Sequence, residues 1–171
     1  DRRQIDFRHV ESVMDMAHGS DGHGRVMVPG VDVMRSFDWV RFAPPEAGER
    51  NEARQFTGRA VVPSNVALPG GGTIAIEVLD STSLKDEDSD GVTVVADLDW
   101  DKVEGLGPVE TLELRTWQPG DEYRPAGRAD RVKVKQLFQD ERVPLWERAS
   151  WPILTLAGQI VWTGKFGAIS E

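Results

Sequence analysis

The sequence predicts an α+β fold that is rich in β-structure. Short segments in which apolar and polar residues alternate recur along the chain, with turn-forming residues between them. Three shorter stretches have features of helices instead. With 171 residues, 39% of them hydrophobic and 29% charged, the chain can bury a core of its own. The length suits one domain, with or without a small neighbour.

The first predicted unit, residues 1–43, contains a helix followed by a β-hairpin. A helix is predicted over 4–17, where apolar residues recur at three- and four-residue spacing. These residues are Phe7, Val10, Val13, Met14 and Ala17. A proline-glycine turn then separates two predicted strands, 25–28 and 31–42.

The second predicted unit, residues 57–171, follows a linker at 44–56 that has no apolar period. Strands are predicted at 57–62, 65–68, 73–79, 92–98 and 110–116. A turn-rich stretch, 117–130, leads to a predicted helix at 131–139, and a second short helix is expected after Pro144. A hairpin is the last predicted element.

Composition excludes several kinds of chemistry. Cysteine is absent, so disulfides, thiolate metal sites and thiol catalysis are excluded. No signal peptide is visible, and no apolar run is long enough to span a membrane. We therefore expect a cytoplasmic protein. Because the chain starts at Asp1 rather than at a methionine, we expect a piece of a longer protein.

The charge is distributed unevenly along the chain. A net charge of −9 argues against a nucleic-acid partner, because phosphate contacts require Lys and Arg. Residues 124–135, however, contain five basic residues and only Asp130 opposes them. A helix dipole favours anions at its N-terminus, so cations at the start of the helix at 131–139 indicate an external anion such as RNA phosphate. The alternative is a solvated surface whose cations pair with neighbouring carboxylates.

An acidic segment has the spacing of half an EF-hand loop. Asp86, Asp88 and Asp90 supply oxygen atoms at alternate positions, and Asp97 stands at the twelfth position. The flanking segments are predicted to be strands rather than helices, and Thr93 occupies a position that is usually apolar. A solvated acidic loop is the preferred interpretation, and calcium binding is the alternative.

Residues 112–152 contain the most specific pattern in the sequence. Its segments are Arg115-Thr116-Trp117-Gln118-Pro119-Gly120-Asp121, Arg124-Pro125, Lys133-Val134-Lys135-Gln136-Leu137-Phe138, Val143-Pro144, Arg148 and Trp151-Pro152. Ile160-Val161-Trp162 follows in the same order. This long ordered string resembles the C-terminal region of tRNA(Ile)-lysidine synthetase.

The resemblance implies a β-rich α+β domain, similar in fold to a domain of the phenylalanyl-tRNA synthetase β-subunit. It implies a non-catalytic part that binds the acceptor-stem side of tRNA(Ile). In the family, an N-terminal PP-loop domain uses ATP and Mg²⁺ to ligate lysine to the wobble cytidine. The Ser-Gly-Gly-x-Asp-Ser string of that domain does not occur here, so no catalytic residue and no cofactor is expected in these residues. The expected partners are tRNA(Ile) and the family's own catalytic domain, without DNA or a membrane.

The predicted tRNA-binding residues are the cations of the same stretch. They are Arg115, Arg124, Arg128, Arg131, Lys133, Lys135, Arg142 and Arg148. Trp117 and Tyr123 are predicted to stack on an unpaired base or sugar. Pro119, Gly120 and Asp121 are predicted to form a structural turn in which Asp121 accepts backbone N–H groups. The alternative function is a β-rich protein-interaction domain with no RNA role.

Overall fold

The computed structural model describes residues 4–45, 55–69, 71–79 and 97–169. Within these ranges it confirms an α+β fold in which strands outnumber helices. The helices are α1 (Phe7–His18), α2 (Trp100–Leu106), α3 (Val134–Asp140) and α4 (Leu145–Arg148). The strands of the first half are β1 (His23–Val28), β2 (Val31–Ser36), β3 (Trp39–Ala43), β4 (Thr57–Arg59), β5 (Ser64–Ala67) and β6 (Thr73–Ile76). Those of the second half are β7 (Glu113–Thr116), β8 (Glu122–Tyr123), β9 (Val132–Lys133), β10 (Pro152–Leu156), β11 (Gln159–Thr163) and β12 (Gly167–Ala168).

Helix α1 and the three-stranded sheet β1-β2-β3 form the first unit. A capping box starts the helix: the Asp6 carboxylate accepts the N–H of His9 at 3.1 Å, and the His9 ring accepts the N–H of Asp6 at 3.0 Å. Met16 lies so close to Gly24 of β1 that a Cβ there would approach its Cγ to 2.6 Å. Arg35 of β2 donates to the carbonyl of Met16 at 3.1 Å, which satisfies one of the orphan acceptors at the end of the helix.

The single strand predicted over 31–42 is wrong, because β2 and β3 are separate antiparallel strands there. Ser36 pairs with Trp39, and Phe37 adopts a left-handed conformation with φ of 54° in the two-residue turn between them. The Phe37 N–H donates to the carbonyl of Gly22 at 2.6 Å, which holds the turn in place. The turn contains neither Gly nor Pro. The apolar residues alternate on both sides of it, so the sequence pattern is that of one continuous strand.

The second unit is built on a five-stranded antiparallel sheet with the order β12-β11-β10-β7-β4. Strand β10 lies at its centre, and its residues alternate between two hydrophobic clusters: Ile153 belongs to one and Leu154 to the other. The first cluster includes Val134, Leu137 and Phe138 of α3. The second includes Val103 of α2 and receives residues from the β5-β6 hairpin. The central strands are therefore buried on both faces.

Two further predicted boundaries need correction. The strand predicted at 92–98 falls largely outside the described residues, and its described end lacks strand structure; α2 follows, capped by Asp99. This helix is too short for an apolar period, since Val103 is its one buried residue. The helix predicted at 131–139 begins only at Val134, because residues 132 and 133 pair with β8 instead.

The two units contact each other through α4 and the segment before it. The hydroxyl of Ser36 accepts the N–H of Leu145 at 3.1 Å. The guanidinium of Arg148 lies between the rings of Phe37 and Phe138, 5.6 and 5.4 Å from their centroids. Its Nε and one terminal nitrogen donate to the carbonyl of Val143 at 2.9 and 2.8 Å. Arg148 is only 8% exposed, and this burial lowers the pKa of its guanidinium.

We expect Arg148→Ala to lower the free energy of unfolding by about 2–4 kcal/mol. The change leaves a cavity between two rings and removes two donors from the Val143 carbonyl. Urea denaturation measures the loss. Arg142→Ala is the matched control, because Arg142 and its partner Asp38 are 63% and 67% exposed, and such a pair contributes less than about 1 kcal/mol. Equal losses for the two variants would contradict this structural role.

Candidate nucleic-acid interface

Asp121 lies in a tight turn and contacts strand β7 and helix α3 as well. Its carboxylate accepts the N–H of Gln118 at 2.6 Å, and its own N–H donates to the Gln118 carbonyl at 3.0 Å. Gly120 has φ of 101°, a conformation that favours glycine. The Asp121 carbonyl accepts the N–H of Val134 at 2.9 Å, at the start of α3. The turn is thereby tied to the helix on the far side of the β8-β9 hairpin.

Arg115 of β7 completes this arrangement from the sheet. Its two terminal nitrogens donate to the two carboxylate oxygens of Asp121, each at 2.9 Å. The side chains are only 14% and 12% exposed. The hydrogen bonds that Arg115 donates to Asp121 raise the pKa of the Arg115 guanidinium. Both groups are therefore occupied in holding the turn against the sheet.

The segment from Glu122 to Lys135, called here the basic hairpin, begins directly after this turn. Tyr123 pairs with Val132, and Tyr123 is 1% exposed on the inner side of the hairpin. Glu122 pairs with Lys133, and both are exposed on its outer side. At the tip, Ala126 donates to the carbonyl of Ala168, which fastens the hairpin to β12.

The predicted cations divide into three groups. Arg128, Arg131 and Arg142 make exposed ion pairs with Asp140, Glu122 and Asp38 at 3.9, 3.5 and 2.6 Å. Arg124, Lys133 and Lys135 have no ion-pair partner within the part of the chain that the structure describes. Arg115 and Arg148 are held internally, as described above. Exposed pairs are weak and exchange readily for an external anion, so the first two groups remain available to phosphate.

The structure brings five of the eight cations together on the basic hairpin. They are Arg124, Arg128, Arg131, Lys133 and Lys135. Arg142 lies apart from them, between α3 and α4, and contacts the first unit. We omit Arg115 and Arg148 from the proposed RNA-binding set, because their donors already serve internal acceptors.

The two aromatic candidates differ in accessibility. The Tyr123 ring is buried and its hydroxyl donates to the carbonyl of Phe166 at 3.1 Å, so in this conformation the ring offers no free face for stacking on a base. Trp117 is partly exposed but packs edge-on against Phe138, with ring centroids 5.1 Å apart. Tyr123 is therefore a core residue, and a stacking role for Trp117 remains a prediction.

A cleft of about 370 Å³ lies between the basic hairpin and the end of the chain. It is lined by Tyr123, Arg124, Ala129, Asp130, Arg131, Gln159, Ile160 and Ile169. Gln159, Ile160 and Ile169 lie about thirty residues after the hairpin, and no local pattern in the sequence links them to the cations. The pairing of β11 with β12 and the bridge between Pro125 and Ile169 help to bring them beside the cations.

The predicted calcium ligands Asp86, Asp88 and Asp90 lie outside the described residues. Asp97 is described, is exposed and precedes α2. No cluster of three metal-ligating side chains occurs within the described ranges. None of the helices described there has the length and apolar character needed to cross a membrane.

The last third of the chain is similar to a known family of domains. Residues 112–170, which contain the Asp121 turn, the basic hairpin and the cleft, match the family of TilS substrate C-terminal domains. These residues are therefore similar to TilS C-terminal domains. The resemblance to tRNA(Ile)-lysidine synthase is confirmed over nearly the whole chain. The chain is 39% identical to the tRNA(Ile)-lysidine synthase of Solibacter usitatus over 98% of its length.

Further relatives agree with this assignment. The tRNA(Ile)-lysidine synthases of Geobacter sulfurreducens and Bacillus subtilis are 29% and 27% identical over 95% and 90% of this chain. The chain spans about a third of the length of these relatives, 36% of the Solibacter protein and 32% and 31% of the other two. A solved structure described as the crystal structure of a TilS C-terminal domain is 24% identical, with a TM-score of 0.48, and covers 67% of this chain and 82% of its own.

We expect Asp121→Asn to destabilise the domain by about 2–4 kcal/mol, because Arg115 then keeps a poorly exposed charge without its counter-charge. Thermal or urea unfolding measures this loss. Asp130→Asn is the control, because it removes the same charge from an exposed position in the same segment. An unfolding free energy unchanged in Asp121→Asn would show that the ion pair does not hold the turn.

Tyr123 provides a second test, since it is the only tyrosine in the sequence. Burial raises the pKa of its hydroxyl well above the ordinary value of about 10. The buried neutral phenol therefore contributes stability that is fully present below about pH 10 and is lost as the pH rises toward the folded-state pKa. We expect phenolate absorbance to appear together with the loss of circular dichroism. Phenolate formation near the ordinary pKa in a folded protein would contradict this burial.

Proposed function

We propose that this chain is the tRNA-binding, non-catalytic part of a tRNA(Ile)-lysidine synthase, acting in the cytoplasm. The observation that carries the proposal is the clustering of five cations on one hairpin of a chain whose net charge is −9. Phosphate contacts supply most of the affinity in such interfaces. The names of the relatives supply the class of RNA.

The proposed contact lies on the acceptor-stem side of tRNA(Ile). Lys133 and Lys135 lie at the N-terminal end of α3, are exposed and have no ion-pair partner in the described ranges. A-form RNA presents its phosphates and 2′-hydroxyls to proteins rather than readable base edges. The hairpin therefore contributes affinity and recognition of RNA shape. Ligation of lysine to the wobble cytidine, with ATP and Mg²⁺, is assigned to a separate PP-loop catalytic domain.

A protein-interaction role is favoured by a different surface. The first unit exposes large apolar side chains: Phe7 at 73%, Val10 and Met14 at 50%, Trp39 at 62% and Phe42 at 64%. Large apolar side chains exposed on α1 and β3 are a feature of surfaces that another protein covers. This surface suits the proposed contact with the family's catalytic domain, and it is separate from the basic hairpin. The two functions are therefore compatible on one chain.

We expect the double variant Lys133→Ala/Lys135→Ala to bind tRNA less tightly and to show a weaker salt dependence. Each lost phosphate contact removes about one unit from the slope of log affinity against log salt, so the slope falls by about two at most. Titration of the chain with tRNA at several salt concentrations measures both effects.

Arg8→Ala/Arg59→Ala is the matched control for this experiment. It makes the same change in net charge with residues on α1 and on β4, and β4 is the sheet edge opposite β12. We expect the control to keep the wild-type salt dependence. The same slope in all three proteins would count against the basic hairpin as the RNA-binding surface.

A further inference from the structure

The cleft beside the basic hairpin combines an apolar floor with charged walls. Its apolar lining comes from Ile160, which is 6% exposed, and from Ile169 and Tyr123. Arg124 and Arg131 line it from the hairpin. A volume of about 370 Å³ is within the range of pockets that hold small ligands. The cleft is thus large enough for a flat organic group and has cations beside it.

We propose that this cleft binds one unpaired nucleotide of an RNA. This inference rests on the proposed function, because it assigns a ligand to a pocket within the same surface. An unpaired base has two apolar faces and a polar edge, which suits a floor of isoleucines with polar groups at the rim. A guanidinium both stacks on a base and binds its phosphate, and Arg124 and Arg131 provide two of them.

The polar lining favours a nucleotide over a simple anion. Asp130 lines the cleft and repels free phosphate, yet its carboxylate accepts hydrogen bonds from a ribose hydroxyl or an exocyclic amine. The Gln159 side-chain amide carries both donors and an acceptor, which matches the edge of a base. The cleft thus offers guanidinium groups to a phosphate, a carboxylate to hydroxyl or amine donors, and an amide to the edge of a base. A nucleotide carries all three of these partners.

A base within a duplex cannot use this cleft. Its faces are covered by its neighbours in the stack, and its pairing edge is occupied. The exposed cations outside the cleft, Lys133 and Lys135, contact a duplex equally well through phosphate. Paired and unpaired RNA therefore use different parts of the same surface, which makes the two contributions separable.

The test uses two RNA hairpins that are identical except for a short single-stranded extension on one of them. Ala129 is exposed and lines the cleft, so Ala129→Trp fills the cleft without changing any charge. Ala126→Trp is the control, because Ala126 is exposed in the same hairpin but does not line the cleft. Affinities of the wild type and both variants for both RNAs are measured at one salt concentration.

We expect the extension to raise wild-type affinity about tenfold, the gain typical of one base bound in a pocket. Ala129→Trp should abolish this gain, so that the variant binds both RNAs with equal affinity, and Ala126→Trp should keep the gain. An extension without effect on the wild type, or an Ala129→Trp variant that keeps the gain, overturns the cleft as a nucleotide site while RNA binding stands. Failure of the wild type to bind either RNA overturns the proposed function, and the cleft with it.

Discussion

The arrangement of the basic hairpin depends on the ion pair between Arg115 and Asp121. Through this pair a central strand of the sheet holds the residue from which the hairpin starts, and the carbonyl of the same aspartate holds the residue where α3 begins. Both ends of the hairpin are thus fixed at one point. A short two-stranded hairpin is only marginally stable by itself, so this attachment and the burial of Tyr123 are what give its outer face a defined shape.

The chain uses its arginines in two distinct ways. Arg115 and Arg148 are largely enclosed and satisfy acceptors of the fold, whereas the cations of the hairpin point to solvent and form weak pairs or none in the described ranges. This division explains how an acidic protein presents a locally cationic surface. The internal guanidiniums contribute rigidity, and the external ones contribute the charge that an RNA meets. Counting basic residues along the sequence merges these two roles.

The sequence predicted those features that are determined by neighbouring residues. The helix near the start, the hairpin closed by Pro29-Gly30 and the turn at Asp121 all follow from local apolar spacing and turn chemistry. The turn at Phe37 was missed because it contains neither Gly nor Pro, and helix α2 was missed because one buried residue makes no period. Burial of Arg148 depends on Phe37, more than a hundred residues earlier in the chain. No local pattern contains that information, and the same holds for the cleft, whose two sides come from separate segments.

The two edges of the five-stranded sheet are closed by different means. At one edge Ala126 at the tip of the hairpin donates to Ala168 of β12, and Pro125 bridges Ile169 directly after it, so that strand has a neighbour on its outer side. At the other edge β4 is three residues long and includes Arg59. Short, charged or covered edge strands give a second chain little to pair with. The hairpin that carries the cations therefore also covers an edge of the sheet. A variant that loosened the hairpin would expose β12, and an exposed edge strand can pair with another copy of the chain.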